Sequence, residues 1–178
     1  MSGSSPSGSG RARPIEGVVL RPLAPHEDRR GSFTEVFCDH WSLPVAPAQW
    51  SLVRSRERVL RGMYLHRNHD EYVLVLEGRA LVGIHDPREA SPSFGASATY
   101  ELRGGEPACL CFPRGVVHGW YFPVPSVHLQ AVSESYDAYH PHDNLSIRWD
   151  DPSWASTGPI RPPSSPSARR ASACCGTC

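Results

Sequence analysis

The chain has no lysine. All 18 of its basic side chains are arginine, and 18 acidic residues bring the formal net charge to zero. Side-chain amine nucleophiles and Schiff-base chemistry are thereby excluded, and the total charge draws the chain neither to nucleic acid nor to a membrane surface. Beside plentiful Arg, Ala, Gly and Pro, the missing lysine reads as a GC-rich coding bias. Long apolar runs are absent from the N-terminus: Met1–Pro14 is rich in Ser and Gly and carries two arginines, unlike a signal peptide or an anchor, so a cytoplasmic protein is expected. There is no internal repeat, phosphate loop or glycine-rich dinucleotide fingerprint. The expected partner is a small molecule, with no nucleic acid and no membrane.

Cysteine is present but poorly placed for cross-linking. Cys38, Cys109 and Cys111 lie in apolar surroundings, while Cys174, Cys175 and Cys178 cluster near the C-terminus. In a reduced compartment disulfides are not expected. Cys175 and Cys178 have the gap of half a zinc site, but no second pair completes a tetrahedron.

With 178 residues and 39% apolar content the chain can build one compact domain. Residues 1–14 read as a flexible tail and residues 162–178, made of Pro, Ser, Ala, Arg and Cys without periodicity, as disordered. Between them, residues 15–161 show short strands: Glu57–His66, Glu71–Glu77, Arg79–Asp86, Thr99–Leu102, Ala108–Phe112, His118–Phe122 and His128–Ser133. Helical spacing is not convincing anywhere. Tyr72–Leu76 and Ala80–Ile84 are apolar on both faces and are joined at Gly78, which predicts a buried hairpin. Turn chemistry recurs at Pro87–Gly95, Arg103–Gly105, Pro113–Gly115 and Pro123–Pro125, as in a barrel or two-sheet sandwich. The pattern alone predicts an all-β fold, mostly antiparallel.

Two segments have the spacing of the paired cupin motifs, in which strands send polar side chains into the mouth of a small jelly-roll β-barrel. The first reads Tyr64-x-His66, then Glu71, then Gly78; the second reads Pro113-x-Gly115-x-x-His118. A narrower set is Arg30-Gly-Ser-Phe33-Thr-Glu35, Gln49-x-Ser51, Leu60-Arg61-Gly62, Ser91-Pro-Ser-Phe94-Gly95, Pro113-x-Gly-x-x-His118-Gly119 and Ile147-Arg-Trp149-Asp-Asp151-Pro152. Together these resemble the dTDP-4-dehydrorhamnose 3,5-epimerase family, from about Ile15 to Trp154. The resemblance implies a jelly-roll cupin, usually a homodimer, that acts on a dTDP-linked 4-keto-6-deoxyhexose without metal or organic cofactor. By motif it places Arg30, Glu35, Gln49, Ser51 and Arg61 among the substrate-binding residues, where guanidinium forks suit a diphosphate. The setting it implies is deoxysugar biosynthesis, for a secondary metabolite such as an antibiotic or for a surface glycan.

Inverting a carbon beside a ketone needs a base for the α-proton, a stabiliser for the enolate oxygen and an acid on the opposite face. In the resembling family the base is the histidine two residues after the Arg-Gly pair, supported by an aspartate, and the acid is a tyrosine on a late strand. Here Tyr64 follows Arg61-Gly62, the late position falls on Ser133 or Ala131, the pocket lysine is absent and the aspartate's segment is a Ser/Arg tail. An ordinary phenol titrates near pH 10, so Tyr64 is a poor base, whereas His66 and His118 suit proton transfer by intrinsic pKa. Tyr64, His66 and His118 are the catalytic candidates. The related sugar 3,4-ketoisomerases have Arg-Gly-x-His-x-His, of which Arg61-Gly-Met-Tyr64-Leu-His66 keeps the second histidine. Two alternatives stay open: a catalytically degenerate member that binds a sugar nucleotide or partner without turnover, and a metal-dependent cupin with His66, Glu71 and His118 as ligands. Arg61 is expected to point inward, Arg30 and Glu35 are suited to pair with each other, and Tyr136, Tyr139 and Trp149 read as packing residues or as a stacking partner for the ligand. His140 and His142 read as a solvated turn.

Overall fold

The computed structural model describes residues 14–138 and 143–148. Twelve strands follow in order: β1 (Val19–Pro22), β2 (Pro25–Asp28), β3 (Gly31–Thr34), β4 (Gln49–Ser55), β5 (Val59–Leu65), β6 (Glu71–Glu77), β7 (Arg79–His85), β8 (Ser97–Arg103), β9 (Ala108–Phe112), β10 (Val117–Phe122), β11 (Ser126–Val132) and β12 (Leu145–Ser146). No helix occurs among the described residues. The strands form two five-stranded sheets, β1-β9-β6-β11-β4 and β12-β5-β10-β7-β8, and a separate β2-β3 hairpin. Every pairing is antiparallel. The expected all-β cupin is present, but its sheets face each other without closing edge to edge into a barrel. The tails expected at residues 1–14 and 162–178 lie, but for Pro14, outside the described residues.

Both sheets contribute to the central core. Val73 and Val75 of β6, Leu110 and Phe112 of β9, Val82 and Ile84 of β7, and Trp120 and Phe122 of β10 pack there at 3% exposure or less. The intervening residues Tyr72 and Leu74 of β6, with Cys109 and Cys111 of β9, point to the other side and are covered by Leu23, Val45 and partly buried Val36, Trp41 and Leu43. Because side chains alternate along a strand, a strand covered on both faces reads as a continuous apolar run. That explains the run Tyr72–Val75; Leu76, expected to be buried with it, is 39% exposed at the end of the strand.

The hairpin expected at Gly78 does not form. β6 pairs with β9 and β11 while β7 pairs with β8 and β10, so the Gly78 turn carries the chain from one sheet to the other. Gly78 has φ +79°, and a side chain there would collide with the Pro125 carbonyl and Ser126. Two-sided burial marks the covered strands correctly but does not say which strands pair.

Gly62 matters more for function. Across β5 and β10, His118 faces Tyr64 and Gly119 faces Gly62, so Met63 is an extra residue on β5 and the register shifts between His118 and Gly119. Gly62 has φ +113°, and an added Cβ would sit 2.9 Å from Gly119 Cα and from the His118 carbonyl. The bulge breaks strict alternation and lets Arg61 and Tyr64, three positions apart, line the same pocket. Gly62→Ala is expected to destabilise the fold by about 2 kcal/mol or more, from backbone strain plus collision with Gly119. Chemical denaturation at neutral pH measures it.

Candidate active site

Between the sheets, β4, β5, β10 and β11 enclose a pocket of about 260 Å³ lined by Val53, Arg61, Tyr64, His66, Trp120, His128, Gln130, Tyr136, Asn144 and Ser146. On β11, alternation sends His128 and Gln130 to the pocket. Ala131 packs into the outer apolar cluster, and Ser133 lies past the strand, accepting from the Asp70 amide. Neither residue considered for the family's tyrosine therefore faces the cavity; Gln130 and His128 do.

Arg61 is the fixed cation of this pocket. Its Nε donates to Ser55 Oγ at 2.9 Å and its Nη2 to the Arg54 carbonyl at 3.2 Å, with no carboxylate partner among the described residues. A guanidinium oriented by neutral acceptors keeps its charge for an anionic ligand.

Behind His66 lies a buried cluster. Glu71 is 1% exposed, and its Oε1 lies 2.9 Å from His66 Nε2, 3.2 Å from His118 Nε2 and 3.8 Å from His69 Nε2. Gln130 Nε2 donates to the other carboxylate oxygen, Oε2, at 2.9 Å. His118 Nδ1 donates to the Val116 carbonyl at 3.3 Å. Asp143, on the far side of His69, sits 2.9 Å from His69 Nδ1 and accepts from the amides of Arg67 and Asn68, fixing the loop that carries both His66 and His69. The imidazoles of His66 and His69 stack with centroids 4.1 Å apart.

Burial by itself would push the Glu71 carboxyl up, but His118, His66 and His69 outweigh it and hold it well below the usual range. The His66 imidazole is pushed down, mainly by burial and further by His118 and His69, with Glu71 opposing. For His69 burial is outweighed by Glu71 and Asp143, and its pKa rises. His128, 1% exposed and stacked on Phe122 at 5.2 Å, is pushed down to about 4 by burial and then by the Arg61 charge.

The structure thus brings Arg61, Tyr64 and His66 to one pocket, with His118 immediately behind. Gln49 and Ser51 lie on β4, on the face of Val53, and Gln49 Oε1 accepts from the Tyr136 amide, tying the pocket rim to that strand. Arg30 and Glu35 lie outside the pocket within the chain. Arg30, at the tip of the β2-β3 hairpin with its side chain 83% exposed, pairs with Asp28 and not with Glu35. Tyr136 lines the pocket and is 60% exposed, which sets it apart from an ordinary packing residue. Tyr139, His140, His142, Trp149 and Asp151 lie outside the described residues. His69, Asp143, His128 and Gln130 were not singled out from sequence. The period-2 alternation of β11 carries a signal for His128 and Gln130; Asp143, more than seventy positions from His69, has none.

The family model for dTDP-4-dehydrorhamnose 3,5-epimerase matches residues 12–162. The chain belongs to that family. It is similar to the spore coat polysaccharide biosynthesis protein SpsL of Bacillus subtilis (strain 168), 31% identical over 139 residues that cover 77% of this chain and 91% of SpsL. Among solved structures it resembles dTDP-4-dehydrorhamnose 3,5-epimerase from Sulfolobus tokodaii, with TM-score 0.68 and 27% identity over 76% of this chain and 79% of that one. It also resembles the epimerase RmlC from Legionella pneumophila Philadelphia 1 in complex with dTDP-4-keto-L-rhamnose, with TM-score 0.73 and 25% identity over 84% and 82% of the two chains. Membership makes the chain an epimerase-like isomerase. Among the described residues no helix is long and apolar enough to cross a membrane.

The His128 shift has a measurable consequence. Between the ordinary imidazole pKa near 6.5 and about 4, the unfolded chain takes up a proton that the folded chain refuses. His128 therefore contributes its full stability above about pH 6.5, and that contribution is lost as pH falls toward 4, at most roughly 3 kcal/mol. Denaturant titrations from pH 7.5 to 4.5 are expected to show this fall, and His128→Phe, which keeps an aromatic ring beside Phe122, is expected to flatten it.

Proposed function

We propose that the chain acts on a dTDP-linked 4-keto-6-deoxyhexose, as an epimerase or keto-isomerase of deoxysugar biosynthesis. The observation that carries this reading is an arginine with no acidic partner among the described residues, Arg61, facing the same pocket as Tyr64 and His66. A diphosphate supplies the charge that Arg61 lacks, and the sugar then extends along the wall formed by Tyr64 and His66. Those are the protic groups adjacent to a bound ketosugar, with Glu71 behind His66 as its charge partner. Family membership among epimerases, and a neighbour whose structure holds dTDP-4-keto-L-rhamnose, support turnover over silent binding.

The reading includes a cytoplasmic homodimer. All four residues of β2 and three of the four in β3 are exposed, and Phe33 is 65% exposed, so this hairpin has little cover from the described residues of its own chain. A second copy offers that cover and gives Arg30 and Glu35 a route to a sugar-nucleotide site. The pathway is one that builds a secondary metabolite, an antibiotic included, or a surface glycan.

The direct test is solvent-deuterium exchange into the ketosugar, followed by NMR. Exchange at C3 or C5, or movement of the carbonyl between C4 and C3, is expected; neither occurring would overturn the reading. Arg61→Met is expected to weaken dTDP binding roughly 10- to 100-fold in calorimetry, the value of a charge-assisted contact. His66→Ala is expected to abolish exchange while leaving dTDP binding measurable.

A further inference from the structure

Removing a proton beside a ketone needs, besides a base and an acid, a group that holds the oxygen as it gains charge. No ammonium can do so, because the chain has no lysine. In the proposed function Arg61 is engaged by the diphosphate, Tyr64 and His66 are the protic groups, and the Gln130 side-chain amide already donates to Glu71. Asn144 and Ser146 line the pocket but are exposed, so water competes for them.

Two further lining residues each carry a nitrogen in need of a partner. Trp120 is 3% exposed and His128 1% exposed, and among the described residues neither Trp120 Nε1 nor His128 Nδ1 has a hydrogen-bond partner. Buried polar groups are normally paired, so unpaired ones on a cavity wall report what the cavity takes. An indole N–H only donates, and calls for an acceptor oxygen. An imidazole nitrogen donates or accepts according to its tautomer, and suits a hydroxyl, which can do either. A ketone with a hydroxyl on the adjacent carbon offers both partners at once.

The placement of the two rings fits that role. In the β5–β10 register Trp120 faces Arg61, and its ring centroid lies 6.2 Å from that of Tyr64, so it stands between the cationic and the protic parts of the pocket. His128 enters from the opposite sheet, its ring nearly parallel to that of Trp120 at 6.4 Å. Burial and then the Arg61 charge hold the His128 imidazole down at about 4, so both groups meet the sugar uncharged.

We infer that Trp120 is the enolate stabiliser, its Nε1 donating to the ketone oxygen of the sugar while His128 holds the adjacent hydroxyl. Given the ketosugar reading, on which this assignment rests, the base takes the α-proton, the C–H electron pair becomes the C=C bond, and the carbonyl π pair moves onto oxygen. The hydrogen bond from Trp120 strengthens as that oxygen becomes anionic, and the N–H keeps its proton when protonation at carbon restores the ketone. A buried donor already in place needs no reorganisation at that moment, which makes it more effective than an exposed one.

The test measures turnover, as deuterium exchange or carbonyl movement at saturating ketosugar, beside calorimetry of dTDP binding. Trp120→Phe keeps an aromatic ring in the core and removes the N–H; turnover is expected to fall roughly 100-fold, as for the loss of one oxyanion donor, with dTDP affinity within about twofold of the parent. His128→Phe is expected to raise KM for the ketosugar roughly 10-fold, the value of one hydrogen bond. Circular dichroism and the thermal midpoint establish that each variant folds. If Trp120→Phe does not fold, benzothienylalanine installed at position 120, which keeps the bicycle and replaces only the N–H by sulfur, decides instead. A folded variant at position 120 that turns over within about threefold of the parent overturns the assignment and leaves the ketosugar reading standing. Equal losses of turnover and dTDP affinity do the same, because they mark Trp120 as a packing residue. A parent that exchanges no deuterium and moves no carbonyl overturns both.

Discussion

A carboxylate almost sealed from solvent can stay charged only when its surroundings supply positive charge or donors. Glu71 is that carboxylate, and three histidines from two different stretches of chain converge on it. His66 and His69 arrive on the loop after β5, His118 on β10, and Glu71 itself begins β6 in the opposite sheet. The cluster therefore ties the two sheets together at the pocket by charge, where elsewhere they meet through Val, Leu, Phe and Trp. Removing one partner leaves buried charge without compensation, which costs more than the contact contributes.

The local backbone serves the same end. A bulge at Met63 and a pair of facing glycines, Gly62 and Gly119, let β5 turn Arg61 and Tyr64 into one cavity. At the far side Asp143 accepts from two successive amides and holds the loop whose histidines build the cluster. In the family the residue two places after the Arg-Gly pair is the base; here Tyr64 stands there, and ionisable nitrogen is concentrated one layer deeper. Arg61 lines the pocket, while the ionisable groups His66, His69, His118 and Glu71 gather at and behind its wall.

Much of this was legible in the residues. The strands from β5 to β11 followed from alternation and turn chemistry, and the two cupin-like motifs correctly placed Tyr64, His66, Glu71 and His118 close together. The strands that sequence missed carry weak patterns: β2 is short and exposed throughout, and β4 puts Trp50 and Leu52 outward at 41% and 56% exposure. Pairing was not legible either, because an apolar run reports burial and not its neighbour, as the Gly78 crossing shows. Arg30 illustrates the limit of motif reading: its segment matches the family, yet among the described residues its side chain pairs only with Asp28. Asp143 and His69 meet across a separation in sequence that no local pattern encodes.

The absence of lysine gives the pocket a particular electrical character. Among the described residues that line it, the one guanidinium is that of Arg61, and such a group keeps its proton throughout the range in which proteins stay folded. A diphosphate diester is likewise fully ionised over that range. On the proposed reading, acidity alters the imidazole layer beneath the sugar while the grip on the nucleotide end stays constant, so capture and chemistry answer to different controls.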